Sequence, residues 1–348
     1  MFENPGKLPL TEIGEFGLID RIKESVTIHH AATLRGIGDD AAVTDPGNRK
    51  VVITTDLLTE GIHFDISYVP LKHLGYKAVA VNLSDIYAMN AVPEQITVSL
   101  AISSKYTLEA IEELYSGINL ACSNYKIDLI GGDTTSSAKG LVISVTAIGY
   151  ADEKDLVYRD GAKEKDLICV SGNVGAAYAG LQLLEREKKI FLENPNVQPD
   201  LEGHDYVLER QLKPEPRADI VRLLKEQGVK PTSMIDISDG LASEILHLCK
   251  QSDTGCRIMA NKLPIDQGTF AVAEELNLPA YTMALNGGED YELLFTVSSS
   301  DYDKLLNIPD VSIIGFMTER SLGHNLLDDQ NNAVPLYAQG WDSFLRKD

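Results

Sequence analysis

No stretch of this chain is apolar for the roughly 18 residues that a membrane-spanning helix requires. The opening MFENPGKLPLTEIGEF lacks the apolar centre of a secretory signal peptide. A cytoplasmic setting is the resulting expectation. Cysteine is scarce: Cys122, Cys169, Cys249 and Cys256 have no CxxC spacing and sit in apolar or helical contexts. That predicts reduced, buried thiols rather than a disulfide framework or a thiolate metal site. Positive charge is short as well. With 52 acidic against 31 basic side chains and a net charge of -21, the surface is not built to bind nucleic acid or an anionic membrane. The phosphate-cradling motif GxxxxGK[ST] is absent, so a phosphate here would have to be neutralised mainly by metal ions with a few basic groups. No internal repeat or low-complexity tract occurs.

What is present is an ordinary globular composition, 44% hydrophobic and 24% charged over 348 residues, long enough for two domains. The patterning predicts a mixed α/β (α+β) fold. A first helix is expected near Gly14 to Ser25, then a strand KVVITT (Lys50 to Thr55) ending in the polar pair Thr55-Asp56. A helix is expected over Leu71 to Met89, a strand over Glu94 to Ser103, a helix over Thr107 to Tyr125 and a strand over Leu141 to Tyr150. The polar stretch Ala151 to Lys165 predicts a boundary between domains at 1–152 and 153–348. Beyond it the pattern gives a strand DLICVS, helices near Tyr178 to Lys188, Arg217 to Gln227 and Ser243 to Gln251, a loop over Glu193 to Gly203, and a late strand from Glu292 to Val297.

Five acidic segments flank the apolar strands: GIGDDAAV, TTD, NLSD, GGDT and DISDG. Together they supply Asp39, Asp40, Thr54, Thr55, Asp56, Asp85, Asp133, Asp236 and Asp239, oxygen donors suited to a hard cation such as magnesium. Taken singly, each Asp reads first as the cap of a helix or the close of a turn. Gly36, Gly38 and Ala41 mimic a dinucleotide fingerprint, but Pro46 and Gly47 interrupt the helix that must follow, and Asp39 with Asp40 would repel a pyrophosphate unless metal intervened. Gly131 and Gly132 allow backbone amides close to a phosphate, with Asp133 delivering a carboxylate there; Gly287, Gly288, Glu289 and Asp290 repeat the device. Arg159, in YRDGA, could grip a phosphate bidentately or lie exposed in a linker. His63 in GIHFD is a candidate contact or a structural histidine, and Arg217 in KPEPR starts a helix or meets a phosphate.

In their order along the chain, GEFGLI, GIGDDAAV, TTDLLTEGIHF, YKAVAVNLSDIYAMNA, LIGGDTTS, RDGAK, PEPR, IDISDGL, GGEDYELLF and GWDSF resemble the thiamine-monophosphate kinase family, of the superfamily that includes aminoimidazole-ribonucleotide synthetase. The likeness covers nearly the whole chain. It implies an N-terminal metal-binding, ATP-binding and dimerisation domain whose sheet forms a dimeric barrel, and a C-terminal α/β domain closing the active site. It implies phosphorylation of thiamine monophosphate by ATP with several Mg2+ ions, in a homodimer without nucleic-acid or membrane partners. By position it implies metal ligation by Asp40, Thr54, Thr55, Asp56, Asp85, Asp133, Asp236 and Asp239. Nucleotide contacts would come from Gly132, Asp133, Arg159 and Ser238, with Tyr115 a weaker candidate. Catalysis would rest on Asp56, Asp133 and Arg159. His63, Glu289 and Trp341 would meet the substrate, although the chain's only tryptophan could also anchor the C-terminus. The alternatives are another enzyme of the superfamily, of the purine-ligase, hydrogenase-maturation or selenophosphate-synthetase type, or a non-catalytic Mg-ATP-binding regulator.

Overall fold

The computed structural model describes Leu18 and residues 21–35, 37, 43–328 and 330–339. The expected first helix is therefore seen only at Leu18 and residues 21–25; Asp39, Asp40 and Trp341 lie outside the described residues. Among those described, no helix is long and apolar enough to cross a membrane. The chain divides into two compact units. Residues 1–86 and 91–154 form the first, and residues 87–90 and 155–348 the second.

The first unit begins with two short antiparallel strands, β1 (Thr33–Arg35) and β2 (Val43–Thr44), on either side of residues 36–42. Its sheet follows in the order β3-β6-β4-β5: β3 (Lys50–Thr59), β6 (Leu141–Ala151), β4 (Val92–Ile102) and β5 (Asp128–Ser136). Only β4 and β5 run parallel, and the helix α2 (Leu108–Tyr125) connects them, as a crossover between parallel neighbours requires. Residues Leu141, Ile143, Val145 and Ala147 of β6 are buried while their alternate neighbours are half-buried, so one face is covered and the other is more open. The helix α1 (Leu71–Ala88) is buried from Leu74 to Ala88 except at Asp85. A helix buried on all sides is one enclosed by protein.

The helix α2 is more conventional. Thr107 caps it by accepting from the Ala110 N–H at 3.4 Å, and Lys126 ends it in the left-handed region at φ 59°. Its buried Ile111, Leu114 and Ile118 recur at helical spacing; each such side chain contributes about 1.5–3 kcal/mol through burial. Gly75 and Gly117 let the two helix backbones touch. A Cβ on Gly75 would stand 2.0 Å from the Leu114 carbonyl oxygen, and one on Gly117 would stand 1.8 Å from that of Lys72.

Three of the five acidic segments are not loops. TTD lies inside β3, which continues to Thr59 because every residue from Lys50 to Thr59 is paired with β6. NLSD lies within α1, and GGDT lies within β5, an element the sequence reading did not place. Gly and Asp are poor strand formers, and here pairing with β4 overrides that preference.

The second unit is built on a seven-stranded sheet in the order β13-β12-β9-β11-β7-β10-β8. These are β7 (Leu167–Ser171), β8 (Ser233–Asp236), β9 (Thr254–Met259), β10 (Leu293–Val297), β11 (Val311–Glu319), β12 (His324–Leu327) and β13 (Ala333–Pro335). Alternation along the central strands separates two cores. Ile168, Val170, Ile235 and Leu294 pack with Leu241, Ile245 and Leu248 of α6 (Leu241–Ser252). Cys169, Met234, Leu293 and Phe295 pack with Ile220 and Leu224 of α5 (Ala218–Glu226). A third core joins α3 (Ala176–Glu193) and α4 (Asp205–Leu212) to α7 (Gln267–Glu275) and α8 (Ala280–Asn286). All four cysteines are buried free thiols, and burial pushes the Cys122 thiol up to about 12.

A cluster of buried charges inside this unit is paired. Glu292, 1% exposed, accepts from the Ser171 hydroxyl at 2.5 Å, from Arg210 at 2.8 Å and from Arg217 at 2.7 Å. Arg217 also grips Asp219 through two nitrogens, at 3.0 and 2.8 Å. The arginine of KPEPR is thus a buried structural cation at the start of α5. Asp290 accepts from the N–H groups of Gly175 and Ala177 at 2.7 and 3.3 Å. It caps α3 from outside, at a helix start where Gly175 offers no side chain and sits at φ 85°.

Gly117→Ala forces α1 and α2 apart and should lower stability by about 1–3 kcal/mol, measured by urea denaturation. Burial pushes Asp290 up to about 6, from an ordinary 3.8. An acid whose pKa rises on folding binds its proton better in the folded state, so its stabilising contribution is complete below about pH 4 and is lost as pH rises through 6. The stability of wild type relative to Asp290→Asn should therefore fall across that window and level off above it, as read from melting temperatures at each pH.

Candidate functional site

In the first unit, the strand period sets Thr54 and Asp56 on one face of β3 and Thr55 on the other. Thr54 and Asp56 meet α1. The Thr54 hydroxyl donates to Asp85 Oδ2 at 2.6 Å, and the Asp56 backbone N–H donates to Asn82 Oδ1 at 3.0 Å. Asn82 is fully buried, and its amide is fixed by donating to the Ala78 carbonyl at 3.0 Å. Asn82 and Asp85 are three residues apart on one helix and so share a side of it. Burial pushes the Asp56 carboxyl up to about 6, and the neighbouring negative charge of Asp85 adds to the rise. Two hard carboxylates and a hydroxyl, with one carboxylate already drawing a proton, form a donor set that a magnesium ion fits. Three such side chains are fewer than an ion's full shell; among the described residues no group of three or more His, Cys, Asp or Glu could hold a metal. Phosphate oxygens and water would complete the coordination.

Thr55 is engaged elsewhere: its hydroxyl donates to the Val145 carbonyl at 3.0 Å and accepts from Thr146 at 3.1 Å. Asp133, exposed on β5, pairs with Ser99, whereas Gly132 pairs with Val98 in the row that contains Val145 and Asp56. Asp133 is therefore one residue out of step with Asp56. A Cβ on Gly132 would stand 1.8 Å from the Val98 carbonyl oxygen, so only glycine fits. Tyr115 is buried on α2, and that burial raises its hydroxyl pKa. His63 closes the turn after β3: its N–H donates to the Thr59 carbonyl at 2.9 Å, and its Nδ1 accepts from the Thr59 N–H at 3.0 Å. Nδ1 is an acceptor there, which leaves the ring proton of a neutral His63 on Nε2.

In the second unit, the segments DISDG and GGEDYE are zipped together by their backbones. The Glu289 N–H donates to the Ser238 carbonyl at 2.7 Å, the Tyr291 N–H to Ile237 at 2.9 Å, and the Ile237 N–H to Glu292 at 2.8 Å. Glu289, at φ 57°, accepts from Gln211 at 2.9 Å. Ser238 and Glu289 are thereby neighbours, while Asp236 is buried at the end of β8 and Asp239 is half-exposed in the loop after it. Arg159 is exposed; its backbone carbonyl accepts from Ser252 at 3.4 Å. His247 on α6 is held below its ordinary pKa, first by burial and then by Arg159, with Asp239 opposing.

Residues 38–151 match the family described as AIR synthase related protein, N-terminal domain. The thiamine-monophosphate kinase of Bacillus subtilis (strain 168) is 36% identical over 337 residues, covering 95% of this chain and 99% of the relative. The chain belongs to the thiamine-monophosphate kinase family. The crystal structure of the Stenotrophomonas maltophilia K279a thiamine-monophosphate kinase has the same architecture, with TM-score 0.77 and 32% identity over 92% of this chain and 98% of that one. A further solved structure, AaThiL complexed with AMPPCP and TMP, has TM-score 0.75 and 32% identity, covering 97% of this chain and all of its own.

The side chains that support these acids lie partly outside the acidic motifs. Asn82 carries a usable signal, since it stands one helical turn before Asp85 in NLSD. Gln211 and Glu292 carry none locally. Asn82→Ala removes the acceptor of the Asp56 N–H and should cost about 1–3 kcal/mol, measured by urea denaturation of wild type and variant.

Proposed function

We propose that this chain transfers the γ-phosphoryl group of ATP to thiamine monophosphate, giving thiamine diphosphate and ADP. The observation that carries the reading is the near full-length likeness to a relative described as complexed with AMPPCP and TMP. A terminal oxygen of the substrate phosphate attacks the γ-phosphorus in line. The bond to the β–γ bridging oxygen breaks, and ADP leaves with that electron pair. The attacking phosphate is already an anion, so no strong general base is required; the barrier lies in bringing two anions together.

Asp40, Thr54, Thr55, Asp56, Asp85, Asp133, Asp236 and Asp239 are the proposed magnesium ligands. Bound magnesium supplies charge neutralisation on the phosphates. Gly132, Asp133, Arg159, Ser238 and Tyr115 serve the nucleotide. Arg159 adds a fixed positive charge on the phosphates. His63 and Glu289 orient the substrate, with Trp341 offering a ring face to a cationic heterocycle. Residues 1–152 carry the metal-binding and dimerising role and residues 153–348 the closing role, in a cytoplasmic homodimer. Exposed Val51, Ile53 and Leu57 on one side of the edge strand β3 favour that pairing, since such apolar groups gain by being covered.

The test is release of ADP from ATP and magnesium with thiamine monophosphate, with free thiamine, and with no acceptor, the product being identified chromatographically. ADP release that depends on thiamine monophosphate and yields thiamine diphosphate is expected. Asp56→Asn and Asp133→Asn should each lower turnover by about 100-fold with unchanged melting temperature. Nucleotide binding without turnover would make the chain a regulator, and near-normal rates in both variants across a magnesium titration would remove those residues from the mechanism.

A further inference from the structure

Glu244 belongs to none of the motifs read for chemistry, yet it is among the most enclosed carboxylates of the second unit. It sits in the first turn of α6 and is 2% exposed. One oxygen, Oε1, accepts from the Asp239 N–H at 2.9 Å, the Ser238 N–H at 3.3 Å and the Ser238 hydroxyl at 3.3 Å. The other, Oε2, is buried with no hydrogen-bond partner among the described residues. A carboxylate is costly to bury unless its contacts offset the lost hydration. The donors to Glu244 Oε1 all belong to a single turn.

That turn is also fixed from its other side. The Ser238 carbonyl receives the Glu289 N–H at 2.7 Å, and a Cβ on Gly288 would stand 2.5 Å from the same oxygen. The peptide groups at Ser238 and Asp239 are thus clamped between Glu244, holding the N–H groups, and the Gly288-Glu289 backbone, holding the carbonyl. Backbone orientation at these two residues decides where the Ser238 hydroxyl and the Asp239 carboxylate are presented.

We propose that Glu244 is a positioning residue: it orients the Ser238–Asp239 turn so that Ser238 and Asp239 face the magnesium-bound nucleotide. This rests on the nucleotide and metal roles proposed above for those two residues. Glu244 acts through the turn and touches no reacting atom. A role confined to capping α6 would leave the turn's own amides and the nucleotide affinity untouched, because the helix-dipole interaction acts on the first helical turn as a whole.

The experiment compares wild type, Glu244→Ala and Glu244→Gln by hydrogen exchange of the Ser238 and Asp239 amides and by steady-state kinetics. Glu244→Ala should speed exchange of both amides by about tenfold and raise the KM for Mg-ATP by about tenfold, leaving the KM for thiamine monophosphate within about threefold. Glu244→Gln keeps a carbonyl acceptor and should bring both quantities back to within about threefold of wild type. If Glu244→Ala does not fold, Glu244→Asp, which withdraws the carboxylate by one methylene, takes its place in the comparison. Unchanged amide protection overturns the proposal, as does a fall in kcat alone that Glu244→Gln does not repair. Should wild type release no ADP in response to thiamine monophosphate, the kinase reading fails on its own. Amide exchange and calorimetric binding of Mg-ADP then still decide whether Glu244 holds the turn.

Discussion

Glu292 is the point on which the second unit turns. A charge so deeply enclosed is tolerated only when its hydrogen bonds are complete, and Ser171, Arg210 and Arg217 complete them from β7, α4 and the start of α5. Four separated pieces of chain are thereby committed to one geometry. Because Glu292 immediately precedes β10, fixing it also fixes the backbone that zips the Glu289 segment to Ser238. The shape of that loop is inherited from a buried ionic cluster several residues away.

The first unit solves a different problem. Asp56 and Asp85 are like charges held in partial burial, an arrangement unfavourable in the absence of a counter-ion. The Thr54 hydroxyl and the Asn82 amide hold strand and helix together there without contributing positive charge. Rigid neutral supports thus hold two acids side by side, and the Asp56 carboxyl, raised first by burial and then by Asp85, carries the cost of that packing.

The regular elements with strong periodicity were legible: β3, α1, β4, α2 and β6 all appear near their expected positions, because each carries its own pattern of apolar residues. β5 was not, since Gly131, Gly132 and Asp133 are individually unsuited to a strand and belong to one only through pairing with Thr97, Val98 and Ser99. The acidic segments were found by composition, but their placement was not. A strand and a helix hold TTD and NLSD where turns or caps were expected, while Asp290, read as part of a phosphate-approaching device, is the acid that caps a helix. Glu292 was invisible for a further reason: its partners lie 75 to 121 residues earlier, and nothing in the local sequence announces a contact of that range.

The close crossing of α1 and α2 has a mechanical side. From Gly75 to Asp85 is ten residues of continuous helix, about 15 Å of stiff rod. Gly75 and Gly117 act as a fulcrum near one end of that rod, with the carboxylate at the other. A small tilt at the fulcrum is magnified at the tip, so two positions that carry no side chain govern how finely a distant acid can be aimed. Drift in the volume of that crossing would be felt first as a loss of alignment, before any loss of fold.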